Sequence, residues 1–380
     1  MIGLLQCLQT ICLLVALLFL ALLFVGLSKK RNRKSDWRPR VSVLVAARNE
    51  EKYLPQLLTD LEAQDYPRDL CEFVLINDAS TDGTGALMDQ WAAQDQRFKS
   101  VHLAETANRT MGPKKRALSA GFQASSGEII LTTDADCRLQ PGWITAMVAC
   151  FDDETSAVCG QVKTEKPPGF WARLSAFEGV VNNILNAAVI GIGGALSCIG
   201  SNFAYRRTAF LEAGGFDSGR RSMSGDDDLL LQKIKARGGK IRFCDGREAS
   251  VTARATSSAR AHWLRKRRHL SAGKRYAPHW IIIAGVVYLG CLASVLLAVI
   301  KLFGAPLDYN FLLKWGIFSL ALLLVFYRGV RRLNESGWLH WAVPAAAIFP
   351  VIFTLIQPLT LLPSPAWKGR NNRPIMKSDQ

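Results

Sequence analysis

The side chains best equipped for chemistry in this 380-residue chain are carboxylates that follow apolar runs in small groups. Ile129-Ile130-Leu131 leads through two threonines into Asp134-Ala135-Asp136. Side chains alternate along a strand, so Asp134 and Asp136 leave its end on one face. Two hard oxygen ligands side by side suit a divalent cation, Mg2+ or Mn2+, shared with the phosphates of a substrate. A lone pair at this spacing is more often an Asp-rich turn, so its company decides. Phe73-Val74-Leu75-Ile76 runs in the same way into Asn77-Asp78-Ala79-Ser80-Thr81-Asp82-Gly83-Thr84. A further island, Asp226-Asp227-Asp228, precedes Leu229-Leu230-Leu231. Carboxylates at a helix start are favoured by its dipole, but a cap needs only one. Two acidic clusters in one domain allow a division of labour, one holding a cation and the other accepting a proton.

Such residues work together only if strands deliver them to one edge. Residues 41–47 are short, uncharged and rich in valine, the pattern of a buried parallel strand, and Arg48-Asn49-Glu50-Glu51 follow. Leu54, Leu57, Leu58 and Leu61 recur at helical spacing before the strand at 73–76, so the chain opens β-α-β. In such sheets ligands sit beyond the carboxyl ends of the strands, where Glu50, Asp78 and Asp134 lie. A third strand is expected near Val101, then a helix opened by Gly112-Pro113. Its first turn carries Lys114 and Lys115, the wrong charge for a helix start, so a nearby anion is expected to compensate. Helices are expected over 143–151 and 171–188, with a strand over 157–162 between them. Gly191-Ile192-Gly193-Gly194 lacks the strand-to-helix setting of a nucleotide loop and reads as a connector. The fold class expected is α/β, with a mostly parallel, Rossmann-like sheet.

Residues 2–27 carry no charge and suffice for a helix across the ~30 Å hydrocarbon core. Lys29, Lys30, Arg31, Arg33 and Lys34 follow the apolar run, which marks a retained anchor and puts residue 29 in the cytoplasm. The formal net charge of +16 is dominated by residues 29–40 and 254–275, both beside apolar spans. That placement fits a membrane surface and not nucleic acid. Nine cysteines without a C-x-x-C pair fit reduced thiols, not a disulfide frame or zinc site. The chain therefore divides into an anchor (1–28), a basic linker (29–40), an α/β domain (41–253), a basic aromatic interfacial segment (254–279), membrane helices (280–363) and a basic tail (364–380). The membrane helices are expected near 281–303, 311–328 and 340–363. The last holds Pro344, Pro350, Pro358 and Pro363. If the tail is cytoplasmic this stretch is re-entrant, or a pair of short interfacial helices; if it spans, the tail is external. The first reading is favoured here.

Taken together, the motifs resemble those of family-2 glycosyltransferases with the GT-A fold, over roughly residues 40–275. Val41 to Glu51 resembles their opening strand, Asn77 to Thr84 their nucleotide-binding turn, Asp134-Ala135-Asp136 their D-x-D, and Gly225-Asp226-Asp227 their acidic base motif. The setting among membrane helices is similar to that of bacterial lipid and carotenoid glycosyltransferases and ceramide glucosyltransferases. Trp367-Lys368-Gly369-Arg370 is similar to an ending seen in lipid-directed members. The resemblance implies inverting, metal-dependent transfer of a sugar from a nucleotide-sugar, expected to be UDP-linked, to a lipid-type acceptor. It also implies a multi-pass protein of the inner cell membrane with a cytoplasmic catalytic domain.

Carried over residue by residue, the resemblance implies that Glu50 and Asp78 bind the nucleoside, and that Lys114 approaches the nucleotide. Asp134 would sit beside the ribose or diphosphate, and Asp136 would hold the metal. Asp226 would contact substrate and Asp227 would be the general base. The processive relatives carry Q-x-x-R-W after the base, whereas this chain has Arg265-Lys266-Arg267-Arg268-His269. Arg268 can still clamp a pyrophosphate. The missing Gln and Trp weigh against a processive polysaccharide synthase. The intact Asp78, Asp134, Asp136 and Asp227 weigh against an inactive membrane scaffold.

Overall fold

The charged linker ends at Arg40, and the seven uncharged residues that follow make a strand with no exposed side chain. The computed structural model describes residues 2–28, 36–105, 111–165, 169–216, 227–256, 258–304 and 309–361. The chain begins with α1 (Ile2–Ser28), β1 (Val41–Ala47), α2 (Leu54–Glu62), β2 (Cys71–Asp78), α3 (Thr84–Gln94), β3 (Phe98–Leu103) and α4 (Pro113–Ala124). It continues with β4 (Ile129–Asp134), α5 (Trp143–Val148), β5 (Thr155–Gly160), β6 (Val162–Thr164), α6 (Phe170–Gly191), β7 (Phe203–Arg206), α7 (Arg207–Glu212) and α8 (Asp228–Ala236). Then follow β8 (Lys240–Cys244), β9 (Val251–Ala253), α9 (Ala259–Ala272), α10 (Pro278–Gly304), α11 (Tyr309–Arg332) and α12 (Leu339–Ile356).

Seven strands form one sheet in the order β3-β2-β1-β4-β7-β5-β8, and only β7 runs against its neighbours. β6 and β9 pair separately. From β1 the chain builds outward through β2 and β3, then returns to β4 on the other side of β1. That reversal opens a crevice between the carboxyl ends of β1 and β4. Strand residues alternate between two cores. Val43, Val45, Phe73, Leu75 and Leu131 face α2 and α5, whereas Leu44, Val74, Ile76 and Ile130 face α4 and α6. Burial on both faces is why these strands read as unbroken apolar runs.

The second core does not stop at the domain boundary. It continues through α6 to Leu20, Leu23 and Leu27 of α1, Val325 and Val330 of α11, and Trp338. Among the described residues five helices are long and apolar enough to cross a membrane: α1, α6, α10, α11 and Ser336–Leu359, which contains α12. Of these, α6 is the layer between the sheet side and the bundle, packing on β6 and β8 as well as on α1 and α11. Its crossing with α1 is a backbone contact. A Cβ on Gly191 would come 2.6 Å from the Gly26 carbonyl carbon, so a larger residue would force the helices apart. Arg332 secures the same joint, its Nε donating to Asp245 Oδ2 (2.7 Å) and its Nη1 to the Gly26 carbonyl (3.2 Å).

The proline-rich stretch forms one helix through Pro344 and Pro350. Its middle lies along α11, with Trp315 Nε1 donating to the Ala347 carbonyl (2.9 Å). The turn after it, Gln357–Leu361, packs against α9 and Gly273–Arg275. One departure concerns the thiols: Cys150, just beyond α5, and Cys244, at the end of β8, form a disulfide. They are 94 residues apart, and only the packing of α5 on the sheet brings them together, so their spacing carries no signal. The other seven cysteines are free.

Candidate active site

Three adjacent parallel strands bring the candidate residues to one edge. Ala46 of β1 stands in register with Asp134 of β4, and Ala47 with Asn77 of β2. Arg48 to Glu50, Asp78, and Asp134 to Asp136 therefore leave the sheet side by side.

The exits of β1 and β2 are tied together. Asn49 and Ala79 both take left-handed backbone conformations (φ 55° and 52°), which turns each chain sharply at its strand end. Asn49 Oδ1 accepts from the Thr81 N–H (2.9 Å), Thr84 Oγ1 from the Glu50 N–H (2.8 Å), and Glu51 Oε2 from the Gly83 N–H (2.9 Å). Asp82 accepts from both the N–H and hydroxyl of Thr84 (3.1 and 2.6 Å). Burial raises the Asp82 carboxyl pKa, and the bonds from Thr84 and the Glu51 N–H outweigh it, leaving the group below its ordinary range. These bonds fix the turn beside the half-buried Glu50.

Asp78 is 1% exposed, and its charge is met by Arg116, whose Nη2 donates to Oδ1 at 2.8 Å. Lys114 Nζ donates to Asp134 Oδ1 at 2.7 Å. The cationic first turn of α4 thus finds anions from the ends of β2 and β4, the compensation its unfavourable dipole position called for. Arg48 reinforces the β2 exit, with Nη1 donating to the carbonyls of Asp78 and Ala79 (2.8 and 2.9 Å). Neither Arg48 nor Arg116 was singled out by sequence. Arg116 stood two residues from Lys114, but nothing in that spacing names its partner.

Ligating atoms of Asp134, Asp136 and Cys137 lie within 4.8 Å of one another. Burial, and then the charges of Asp134 and Asp136, push the Cys137 thiol well above its ordinary pKa. A thiol is a soft ligand in any case, so the two carboxylates are the groups fitted to a hard cation.

Asp227 caps α8. Its Oδ1 accepts from the Asp228 N–H (2.8 Å) and its Oδ2 from the Gly200 N–H (2.7 Å). The Gly200 carbonyl in turn accepts from Thr132 Oγ1 (2.7 Å), two residues before Asp134 on β4. A Cβ on Gly200 would stand 2.9 Å from Asp227 Oδ2, so any side chain there would push the carboxylate aside. Asp227 and the Asp134-Ala135-Asp136 strand are therefore joined through one residue. Asp226 and the side chain of Arg268 lie outside the described residues.

Two family profiles match the chain. Glycosyl transferase family 2 covers residues 42–214, and glycosyl transferase family group 2 covers residues 129–356, more than half of the chain. The chain belongs to glycosyltransferase family 2. Both profiles take in Asp134 and Asp136, and the second takes in Asp227 and the long apolar helices α10 and α11. Among relatives of this family-2 chain is the probable glycosyltransferase YdaM of Bacillus subtilis, 27% identical over 63% of this chain and 56% of the relative. Another is the beta-monoglucosyldiacylglycerol synthase of Synechocystis sp., 26% identical over 64% and 50%. A third is the undecaprenyl-phosphate 4-deoxy-4-formamido-L-arabinose transferase of Pseudomonas savastanoi, 32% identical over 44% and 48%. The chain spans about half the length of these curated relatives. The mannosyltransferase PcManGT from Pyrobaculum calidifontis, solved with GDP-Man and Mn2+, has a similar structure over 93% of this chain and 98% of its own. The TM-score is 0.58 at 20% identity, a likeness of fold, GT-A-like α/β.

Proposed function

We propose that this protein transfers a sugar, with inversion, from a nucleotide-sugar to a hydroxyl of a lipid-type acceptor at the cytoplasmic face of the inner membrane, in a metal-dependent reaction. One observation carries the reading. The carboxylate pair Asp134 and Asp136 sits at the switch point of the sheet, on the same edge as buried Asp78 and joined through Gly200 to Asp227, in a domain whose core continues into apolar helices. Two relatives are named for lipid substrates, a glucosyldiacylglycerol synthase and an undecaprenyl-phosphate transferase, which supports the acceptor class.

In this reading Glu50 and Asp78 receive the nucleoside in the turn beyond β1 and β2. Asp136, with Asp134 beside it, would hold a divalent cation, Mg2+ or Mn2+. A bound cation offsets the negative charge that grows on the departing diphosphate. Lys114 supplies a further positive charge at the same place. Asp227 takes the proton of the acceptor hydroxyl as its oxygen attacks the anomeric carbon from the face opposite the diphosphate, which inverts that carbon. Asp226 and Arg268 are assigned to substrate, on the acidic island and on the basic helix α9. The donor is proposed as UDP-linked on the family resemblance.

The test is direct. Membranes containing the protein, incubated with a panel of nucleotide sugars, should yield a glycosylated lipid by mass spectrometry, dependent on divalent cation. Sugar found only on soluble acceptors, or as a long polymer, would replace this reading with another.

A further inference from the structure

The segment that leads into α10 is bonded to the acidic island by side chains that the proposed chemistry does not use. Tyr276 OH donates to Asp228 Oδ2 at 2.5 Å. The other oxygen of Asp228, Oδ1, accepts from the Cys198 N–H at 2.9 Å. Two residues along, the Gly200 N–H donates to Asp227. One turn further, the Ala277 N–H donates to Gln232 Oε1 (2.8 Å), and Gln232 Nε2 donates to the Leu196 carbonyl (2.6 Å). Trp280 Nε1 donates to the Ala195 carbonyl at 2.9 Å. Residues 276–280 therefore grip both the start of α8 and the connector 195–200 that carries the amide partner of Asp227.

The connector has no regular structure of its own between α6 and the short turn Gly200–Asn202. The Cys198 and Gly200 amides and the Ala195 and Leu196 carbonyls therefore take side-chain partners, and these four come from α8 with its cap Asp227 and from Trp280. Burial, then the Asp228 charge, pushes the Tyr276 hydroxyl well above its ordinary pKa. Tyr276 thus keeps its proton and acts as donor to the carboxylate.

We propose that Tyr276 is a positioning residue, which orients Asp228 and through it the connector 195–200 and the Asp227 carboxylate, so that the mouth of a membrane helix sets the acceptor side of the site. This rests on Asp227 as the base, and its first test does not. In the Tyr276→Phe protein, hydrogen exchange at the amides of Cys198 and Gly200 should be faster than in the wild type, while exchange in β1 and β4 is unchanged. Unchanged exchange at 198 and 200 would overturn the proposal whatever the protein catalyses.

The second test reads catalysis. Tyr276→Phe should lower kcat roughly ten- to a hundredfold, the worth of a hydrogen bond to a charged group, with the donor KM within about twofold of wild type. Combined with Asp228→Asn it should be no worse than Asp228→Asn alone, because the two act as one unit. Independent losses that multiply, or a loss confined to donor KM, would overturn the proposal. If Tyr276→Phe is poorly folded, Trp280→Phe removes the donor to Ala195 while keeping an aromatic ring, and the same exchange and kcat effects are expected. A wild type that turns over no donor would count against the proposed function and leave the exchange test decisive here.

Discussion

Lys114 Nζ lies 2.7 Å from Asp134 Oδ1, joining the first turn of α4 to the end of β4 across the mouth of the proposed donor site. Both side chains are partly exposed, 24% and 38%, so the pair contributes little to stability, about 1 kcal/mol at most. In the proposed reading its value is the placement of positive charge where a diphosphate would lie. Lys114→Ala is expected to leave Tm nearly unchanged and to weaken nucleotide binding roughly ten- to a hundredfold. Calorimetric titration with nucleotide checks this. Equal affinities would remove Lys114 from the donor site.

Asp136→Ala is expected to abolish metal-dependent nucleotide binding. Asp134 and Cys137 remain, but one carboxylate and a soft sulfur ligand make a weak site for a hard cation. Titrating nucleotide with Mn2+ and with chelator, in wild type and variant, measures the effect. Binding insensitive to both the substitution and the chelator would sink the metal assignment.

Asp227→Asn separates the proposed base role from the cap. The asparagine oxygen can still accept one of the two main-chain bonds from Gly200 and Asp228, so α8 should survive with a modest loss. Proton acceptance is lost, and transfer is expected to fall by about two to four orders of magnitude while nucleotide binding holds. An unchanged rate would move the base role elsewhere on the island.

The parts of this architecture that the sequence disclosed are those whose signal is local. β1, β2 and β4 are buried on both faces, so their apolar runs were plain, and the carboxylates at their ends marked the edge of the candidate site. β7, β8 and β9 are three to five residues long and alternate weakly, and their existence depends on pairing with strands distant in sequence. The contacts of Arg116 with Asp78 and Asp227 with Gly200 span 38 and 27 residues, and no periodicity encodes them. The role of α6 was hidden for a different reason. Its apolar faces serve both the domain and the bundle, and a single helix pattern cannot say so.

Glu72 makes acid stability a measurable property of the far edge of the sheet. Its carboxylate accepts from Ser42 Oγ (2.5 Å), the Ser126 N–H (2.5 Å) and Lys99 Nζ (2.6 Å). Burial raises its pKa, and the bonds from Lys99, Ser42 and Ser126 outweigh that, bringing it down to about 2. A folded-state pKa below the unfolded value means that the unfolded chain binds the extra proton first. The stability from Glu72 is then fully present above the ordinary value of 4.5 and is lost as pH falls from there to about 2. Glu72→Gln should be less stable at neutral pH and should lose less stability across that acid window. Parallel pH profiles of denaturant midpoint for the two proteins would contradict it.

The final prediction concerns which side of the membrane receives the tail. The apolar stretch Ser336–Leu359, which contains α12, is long enough to cross a membrane, so its length does not decide the question. The turn that follows, Gln357–Leu361, packs against α9 and Gly273–Arg275, the basic segment immediately before α10. Beyond it the tail carries Lys368, Arg370, Arg373 and Lys377. Positive charge is retained on the cytoplasmic side, and contact with α9 points the same way, so the stretch is expected to enter and leave on one face. A reporter fused after Gln380 should therefore be active only in the cytoplasm, together with one fused in the linker at 29–40. Activity of the Gln380 fusion on the external side would show that the stretch spans and that the contact with α9 does not form in the membrane.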